Sequence, residues 1–266
     1  DPHTHEYIST GQSRNKFGIA RNELLFAIEQ VHQMPNLKFM GLHFHIGSQI
    51  RQMDVFFQLC HAVNRIQDDI ENAGYTIPNL NLGGGLGVDY ENQTPELPDF
   101  ETYFGIFHSI LDKRENQTVH FEPGRSLVAS CGTLITKVLY VKPNPETPIA
   151  IVDAGMTELI RPALYQCSHP IENISNNPDK QYFTIAGPIC ESSDVFATKT
   201  RIARPQRNHL LAIKQVGAYG ESMSSRYNMR PKVRHFYKKS QNHLLPQNTT
   251  KHEENAIGVS TATHEF

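Results

Sequence analysis

No apolar run in this 266-residue chain is long enough to cross a bilayer. There is no surplus of positive charge either. The formal net charge is −2, so no broad basic field points to nucleic acid. The first residues, Asp-Pro-His-Thr-His-Glu, lack the basic flank and apolar stretch of a secretory leader. Cysteine is scarce. Cys60, Cys131, Cys167 and Cys190 form no CxxC pair and no dense framework, which fits reduced thiols and a cytoplasmic location. The Gly-Lys-Ser/Thr of a nucleotide-binding P-loop is missing too. With 38% hydrophobic residues, a core is still within reach, in one large domain or two medium ones.

Three strand-like runs end in unusual chemistry. They are Gly41-Leu42-His43-Phe44-His45-Ile46-Gly47-Ser48, Asn81-Leu82-Gly83-Gly84-Gly85-Leu86-Gly87 and His120-Phe121-Glu122-Pro123-Gly124-Arg125-Ser126. Helical patterns separate them. Phe56, Leu59, Cys60, Val63, Ile66 and Ile70 recur at steps of three and four until Gly74 stops the run. Phe100, Tyr103, Phe104, Phe107, Ile110 and Leu111 form a second stripe, and residues 21–33 carry Leu24, Leu25, Ile28 and Val31 at helical spacing. The spacing predicts strands over Lys38–His45, Ile77–Leu82 and Thr118–Phe121, with part of another near Glu6–Thr10. Parallel strands need such helical crossovers. In parallel barrels and open sheets, ligands bind where the strands end.

Near residue 133 the texture changes. Leu134–Val141, Ala150–Val152, Tyr182–Ile185 and His209–Val216 read as strands between turns rich in Pro, Asn and Gly. The expected organisation is a partial (β/α) region over 1–133, a mainly β domain over 134–235, and a polar tail without periodicity over 236–266.

The glycine run lets backbone N–H groups come close to an anion, although a plain tight turn would need the same glycines. Val88 occupies the third-glycine position of a dinucleotide fingerprint, so that reading fails. Gly47-Ser48 and Gly124-Arg125 at equivalent strand ends strengthen the phosphate reading. His43 and His45 share one strand face and would suit a metal pair, but the later strand ends are poor in ligands, and no metal is expected. Glu122 is either a rim carboxylate paired with Arg125 or a partner for a heterocyclic nitrogen. Arg161 could clamp a carboxylate, but its spacing alone favours a surface arginine. The acids beside Cys190 disfavour a thiolate nucleophile, and a proton donor fits better.

Taken in order, HFHIGSQ, NLGGGLG, FEPGRS, DAGMTELIRPALY, GPICESSD and GAYGESMSSRYNMRP resemble the fold type III decarboxylases that use pyridoxal phosphate, and within them the diaminopimelate decarboxylases. The likeness covers about residues 1–232. It implies the C-terminal half of an alanine-racemase-like (β/α)₈ barrel followed by a mainly β domain, an α/β plus β chain working as a homodimer with shared active sites. It implies the cofactor pyridoxal 5′-phosphate and an amino-acid substrate, meso-2,6-diaminopimelate, decarboxylated to L-lysine and CO2. It also implies that His45 stacks on the pyridine ring and Glu122 pairs with its nitrogen. Ser48, Gly83, Gly84, Gly85 and Gly124 would hold the phosphate, and Tyr219 would reach the cofactor. Arg125, Arg161, Tyr165 and Glu191 would hold the substrate. Cys190 and Glu191 would act from the partner subunit.

Two departures from the family follow. Its Schiff-base lysine lies in a Tyr-Ala-x-Lys-Ala-type motif on the first barrel strand, and no such motif occurs here. The residues Tyr7–Gly11 and Lys16–Gly18 match the segment after the fifth strand. The first half of the barrel is therefore expected to be absent and activity of the chain alone to be low. The family's closing strand after Arg230-Pro231 is also not evident in the polar tail. Alternatives are a non-catalytic homologue that modulates an intact decarboxylase, an ornithine- or arginine-type decarboxylase, and a barrel metal hydrolase using His43 and His45.

Overall fold

The computed structural model describes residues 16–175, 178–239 and 243–246. The expected strand near Glu6–Thr10 lies outside them, as does the chain beyond Pro246. The chain forms one compact unit through Ser224 and a smaller one from Ser225 onward.

The first unit begins with a 3-10 turn, Arg21–Glu23, that runs into helix α1, Leu24–Gln33. Strand β1 (Leu42–His43), helix α2 (Asp54–Asn72), strand β2 (Asn79–Asn81), helix α3 (Phe100–Ile110) and strand β3 (Thr118–His120) follow. The three strands are parallel in the order β1-β2-β3. This is a partial (β/α) barrel: a closed one of this kind has eight strands. Strand β1 is shorter than the sequence pattern suggests. Gly41, at φ +138, lies so close to the Asn79 carbonyl that a Cβ would overlap it, and the ladder begins only at Leu42.

The helices form where the periodicity places them. α2 buries Val55, Phe56, Leu59, Cys60, Val63 and Ile70 on one stripe. It ends where Gly74 takes φ +88, which an L side chain would resist. α3 starts under a side-chain cap, with Asp99 accepting from the Thr102 N–H at 2.9 Å. Its buried Tyr103 and Phe107 meet Phe56 of α2 at ring separations of 4.9 and 6.1 Å. Phe121, just past β3, closes this aromatic cluster at 5.0 Å from Phe107.

After a short helix α4 (Arg125–Val128), a six-stranded sheet forms a second core. Its strands are β4 (Thr133–Lys142), β5 (Ile149–Val152), β6 (Ile171–Asn173), β7 (Lys180–Ala186), β8 (Val195–Ala203) and β9 (Leu210–Lys214), with helix α5 (Arg161–Tyr165) between β5 and β6. Their order is β6-β9-β4-β5-β7-β8. Every pairing is antiparallel except β5 with β7. β6 and β8 have no clear sequence signal. Both lie at sheet edges. β8 carries Lys199 at φ +49 and register shifts against β7, so its alternation is broken.

In the second unit, β10 (Phe236–Lys239) and β11 (His243–Pro246) form an antiparallel hairpin. This corrects the expectation of a structureless tail over that stretch. In the sequence, Phe236-Tyr237 and Leu244-Leu245 flank polar residues 240–242, a hairpin pattern hidden by the average polarity.

The fold predicts a sharp contrast between neighbours. Phe56 is 0% exposed and Phe57 is 41% exposed. Phe56→Ala should cost about 3–5 kcal/mol of unfolding free energy, and Phe57→Ala less than about 1 kcal/mol, in urea titrations followed by circular dichroism. Equal losses would contradict this packing.

Candidate active site

The strand register sets up the site. His43, Asn81 and His120 are aligned across β1, β2 and β3, so the loops that follow leave the sheet side by side. Main-chain bonds hold these loops together. Phe44 N–H donates to the Asn81 carbonyl, Leu82 N–H to that of His120, and Glu122 N–H to that of Gly83 at 2.7 Å. The glycine run answers to this crowding. A Cβ on Gly83 (φ +68) would overlap the Phe44 carbonyl, one on Gly84 the Glu122 carbonyl, and one on Gly85 (φ +104) the Gly47 carbonyl. Loop packing therefore requires these glycines in its own right. They also leave bare backbone at the strand ends, which an anion can approach. Gly124 has open space where a Cβ would stand.

Glu122 sits among polar partners. Asn81 Nδ2 donates to Oε1 at 2.7 Å, and His43 Nε2 lies 3.2 Å from Oε2. The Asn81 bond and then the nearby His43 hold its carboxyl below the ordinary glutamate range. His45 is shifted downward, first by burial and then by the neighbouring His43. An ionised carboxylate is thus favoured near an imidazole whose protonated form is disfavoured.

The arginines are the second feature. Arg125 is 6% exposed and Arg161, on α5, is 2% exposed. Burial of Arg161 corrects the surface position that its spacing favoured. Arg125 donates to the Tyr90 hydroxyl at 2.9 Å and to Ser48 Oγ at 3.1 Å. Its guanidinium lies 4.9 Å from the Tyr219 ring centre. Arg161 lies 4.5 Å over the Tyr90 ring and 5.7 Å from that of Tyr165. Among the described residues neither arginine forms an ion pair with a carboxylate, and Arg161 Nε and Nη1 are buried without a hydrogen-bond partner. Buried charges are normally paired. The Glu122–Arg125 pair, one of the two readings of Glu122, is not formed among the described residues.

His169 packs edge-on against Tyr90 at 4.8 Å, and its Nδ1 bonds the Lys214 carbonyl. Burial, and then the two arginines, push its pKa down to about 4. Tyr90, Asn81 and His169 are site residues that the sequence reading missed. Asn81 carried a signal: it precedes Gly83 by two and shares its strand face.

Cys190 is exposed and makes no recorded contact with this cluster. Its loop is tied down elsewhere. The buried Asp194 accepts from Met156 N–H at 2.6 Å and Ile189 N–H at 2.7 Å. The structure therefore brings His45, Gly83, Gly84 and Glu122 together, and separately Ser48, Arg125, Arg161, Tyr165 and Tyr219. It leaves Cys190 exposed and does not bring it to them. Among the described residues no three metal-ligating side chains converge. No helix among them is long and apolar enough to cross a membrane. An open cleft of about 660 Å³ between α1 and α2, lined by Leu24, Leu25, Ile66 and Ile70, shares no residue with the strand-end loops.

A family model described as the pyridoxal-binding domain of pyridoxal-dependent decarboxylases matches residues 1–129. A diaminopimelate decarboxylase from Bacteroides thetaiotaomicron is 48% identical over 229 residues, 86% of this chain. The chain belongs to the diaminopimelate decarboxylase family. It spans 59% of that relative's length, and 55% of one from Zymomonas mobilis that is 41% identical over 88% of this chain. A crystal structure of the Helicobacter pylori diaminopimelate decarboxylase, complexed with L-lysine, superposes with TM-score 0.80 at 36% identity, covering 92% of this chain and 60% of that one. The M. jannaschii diaminopimelate decarboxylase gives 0.82 at 35% identity, covering 98% and 61%.

The buried imidazole leads to a pH prediction. Between about pH 4 and 6.5 the unfolded chain binds a proton at residue 169 and the folded one does not, so stability falls as pH drops through that window. His169→Gln should narrow the difference in unfolding free energy between pH 7 and pH 4.5. An unchanged difference would place the imidazole in a solvated environment.

Proposed function

We propose that this chain carries the cofactor and substrate residues of a decarboxylase that converts meso-2,6-diaminopimelate to L-lysine and CO2. The observation that carries the reading is that Arg125 and Arg161 are buried near the same Tyr90 ring with no carboxylate ion pair among the described residues, and that Arg125 follows Glu122 by three positions. A substrate with a carboxylate at its far end supplies what the pair lacks.

The residues fit a phosphorylated pyridine. Glu122 is held ionised by a neutral donor, Asn81, which leaves its remaining lone pairs available. Ser126 Oγ is buried without a partner among the described residues, next to Arg125. The Gly83–Gly85 turn presents backbone with no side chain in the way. Pyridoxal 5′-phosphate, when bound, supplies the electron sink that accepts the pair left behind as CO2 departs. Glu122 would hold the ring nitrogen and His45 would pack on the ring. Ser48, Gly83, Gly84, Gly85 and Gly124 hold the phosphate, with Tyr219 beside it. Arg125, Arg161 and Tyr165 hold the distal end of the substrate. In this assignment residues 1–133 bind the cofactor and 134–235 carry the substrate and interface loops. The protein acts in the cytoplasm as a homodimer. Cys190, exposed and apart from the cluster of its own chain, serves with Glu191 the partner's site, where Cys190 Sγ delivers a proton to the substrate carbon.

The test joins this chain to the part of the Bacteroides relative that it does not match. CO2 release from meso-diaminopimelate is then measured. Glu122→Gln should lower turnover by about 100-fold or more while cofactor affinity falls less. Absence of CO2 release, or full turnover in the variant, would refute the assignment. A mixed dimer tests the shared site. One subunit carries Cys190→Ala and the other Glu122→Gln. If Cys190 acts across the interface, one site holds both defects and the other neither, and about half of the activity returns. A mixed dimer as inactive as its parents would place Cys190 within its own subunit.

A further inference from the structure

The geometry points to Asn81 as a positioning residue that locks the Glu122 carboxylate to the glycine turn. The inference rests on the reading that the carboxylate and the turn hold one and the same ligand. Asn81 ends β2, in register with His43 of β1 and His120 of β3. Its amide is used at both ends. Oδ1 accepts from Gly83 N–H at 2.9 Å, the short-range bond by which asparagine shapes a turn two residues on. Nδ2 donates to Glu122 Oε1 at 2.7 Å. The main chain repeats the link, since Glu122 N–H donates to the Gly83 carbonyl at 2.7 Å. Glu122 is thus tied to Gly83 twice, once through backbone and once through Asn81. The ring nitrogen and the phosphate belong to one molecule, so the separation of the groups that would hold them has to be set beforehand.

Asparagine suits this position by its chemistry. An aspartate has nearly the same shape and could still accept from Gly83 N–H. It could not donate to Glu122, and it would place a second negative charge against the carboxylate. An alanine would lose both bonds. The other titratable groups recorded against Glu122 are His43 and His45, and both favour its ionised form. His43 reaches it from β1 at 3.2 Å but makes no recorded bond to the turn. His43 can hold the charge, while Asn81 also ties the carboxylate to Gly83.

The test uses the cofactor-free chain, with glutamate side chains labelled at the carboxyl carbon and followed by NMR against pH. In the wild type Glu122 should titrate below the ordinary glutamate range. Asn81→Ala and Asn81→Asp should both move its midpoint upward, Asn81→Asp by more. The Gly83 amide should stay protected from exchange in Asn81→Asp and lose protection in Asn81→Ala. Should Asn81→Asp fail to fold, the Asn81→Ala midpoint decides. Midpoints unchanged in both variants, or moved only by His43→Gln, would overturn the inference. The titration needs neither cofactor nor turnover. A midpoint that moves in a protein that releases no CO2 would leave the lock intact and sink the functional reading alone.

Discussion

Two guanidinium groups buried around one tyrosine ring, with no protein carboxylate recorded against them, are the constraint on which the rest of this structure depends. A charge taken out of water needs a counter-charge or a dense set of dipoles. Among the described residues the protein supplies aromatic faces, the Tyr90 phenol oxygen and the Ser48 hydroxyl. Both Arg125 and Arg161 lie near the Tyr90 ring; Arg125 also lies near Tyr219 and Arg161 near Tyr165. These contacts soften the repulsion of two like charges without cancelling it. Burial, together with Arg125, lowers the Arg161 pKa, which is the mark of a cation short of anions. In the proposed function a ligand carboxylate completes the arrangement.

The strand ends impose the second constraint. Their loops touch through main-chain atoms, and side chains at Gly83, Gly84 or Gly85 would force them apart. One geometry therefore serves two purposes. It keeps the parallel strands in register, and it sets a carboxylate, an imidazole and an open stretch of backbone at fixed separations. The loop that carries Glu122 leads directly into Arg125 at the start of α4.

Much of this was legible in the sequence. The stripes on α2 and α3 have a strict helical period, and Gly74 marks the stop. Glu122 and Arg125 stand out because charged residues directly after an apolar strand are costly without a purpose. Legibility ended where tertiary context overrides local pattern. Arg161 has the spacing of a surface arginine, yet α5 turns it inward beneath Tyr90. Tyr90 itself looks like a loop aromatic, because nothing in its neighbours shows that two arginines will converge on it. Asn81 reads as a strand residue until the register places Glu122 opposite its amide. Edge strands β6 and β8 escaped because edges carry polar residues and bulges. Membership in the family came from the ordered set of motifs, and no single motif would have established it.

The account turns on the claim that the arginine pair exists to receive a carboxylate. Calorimetry with meso-diaminopimelate and with 1,5-diaminopentane, which has the same amines but no carboxylates, addresses it directly. The account predicts at least about tenfold tighter binding of the diacid, with the preference lost in Arg161→Gln. Equal affinities for the two compounds, or a preference that survives Arg161→Gln, would contradict it.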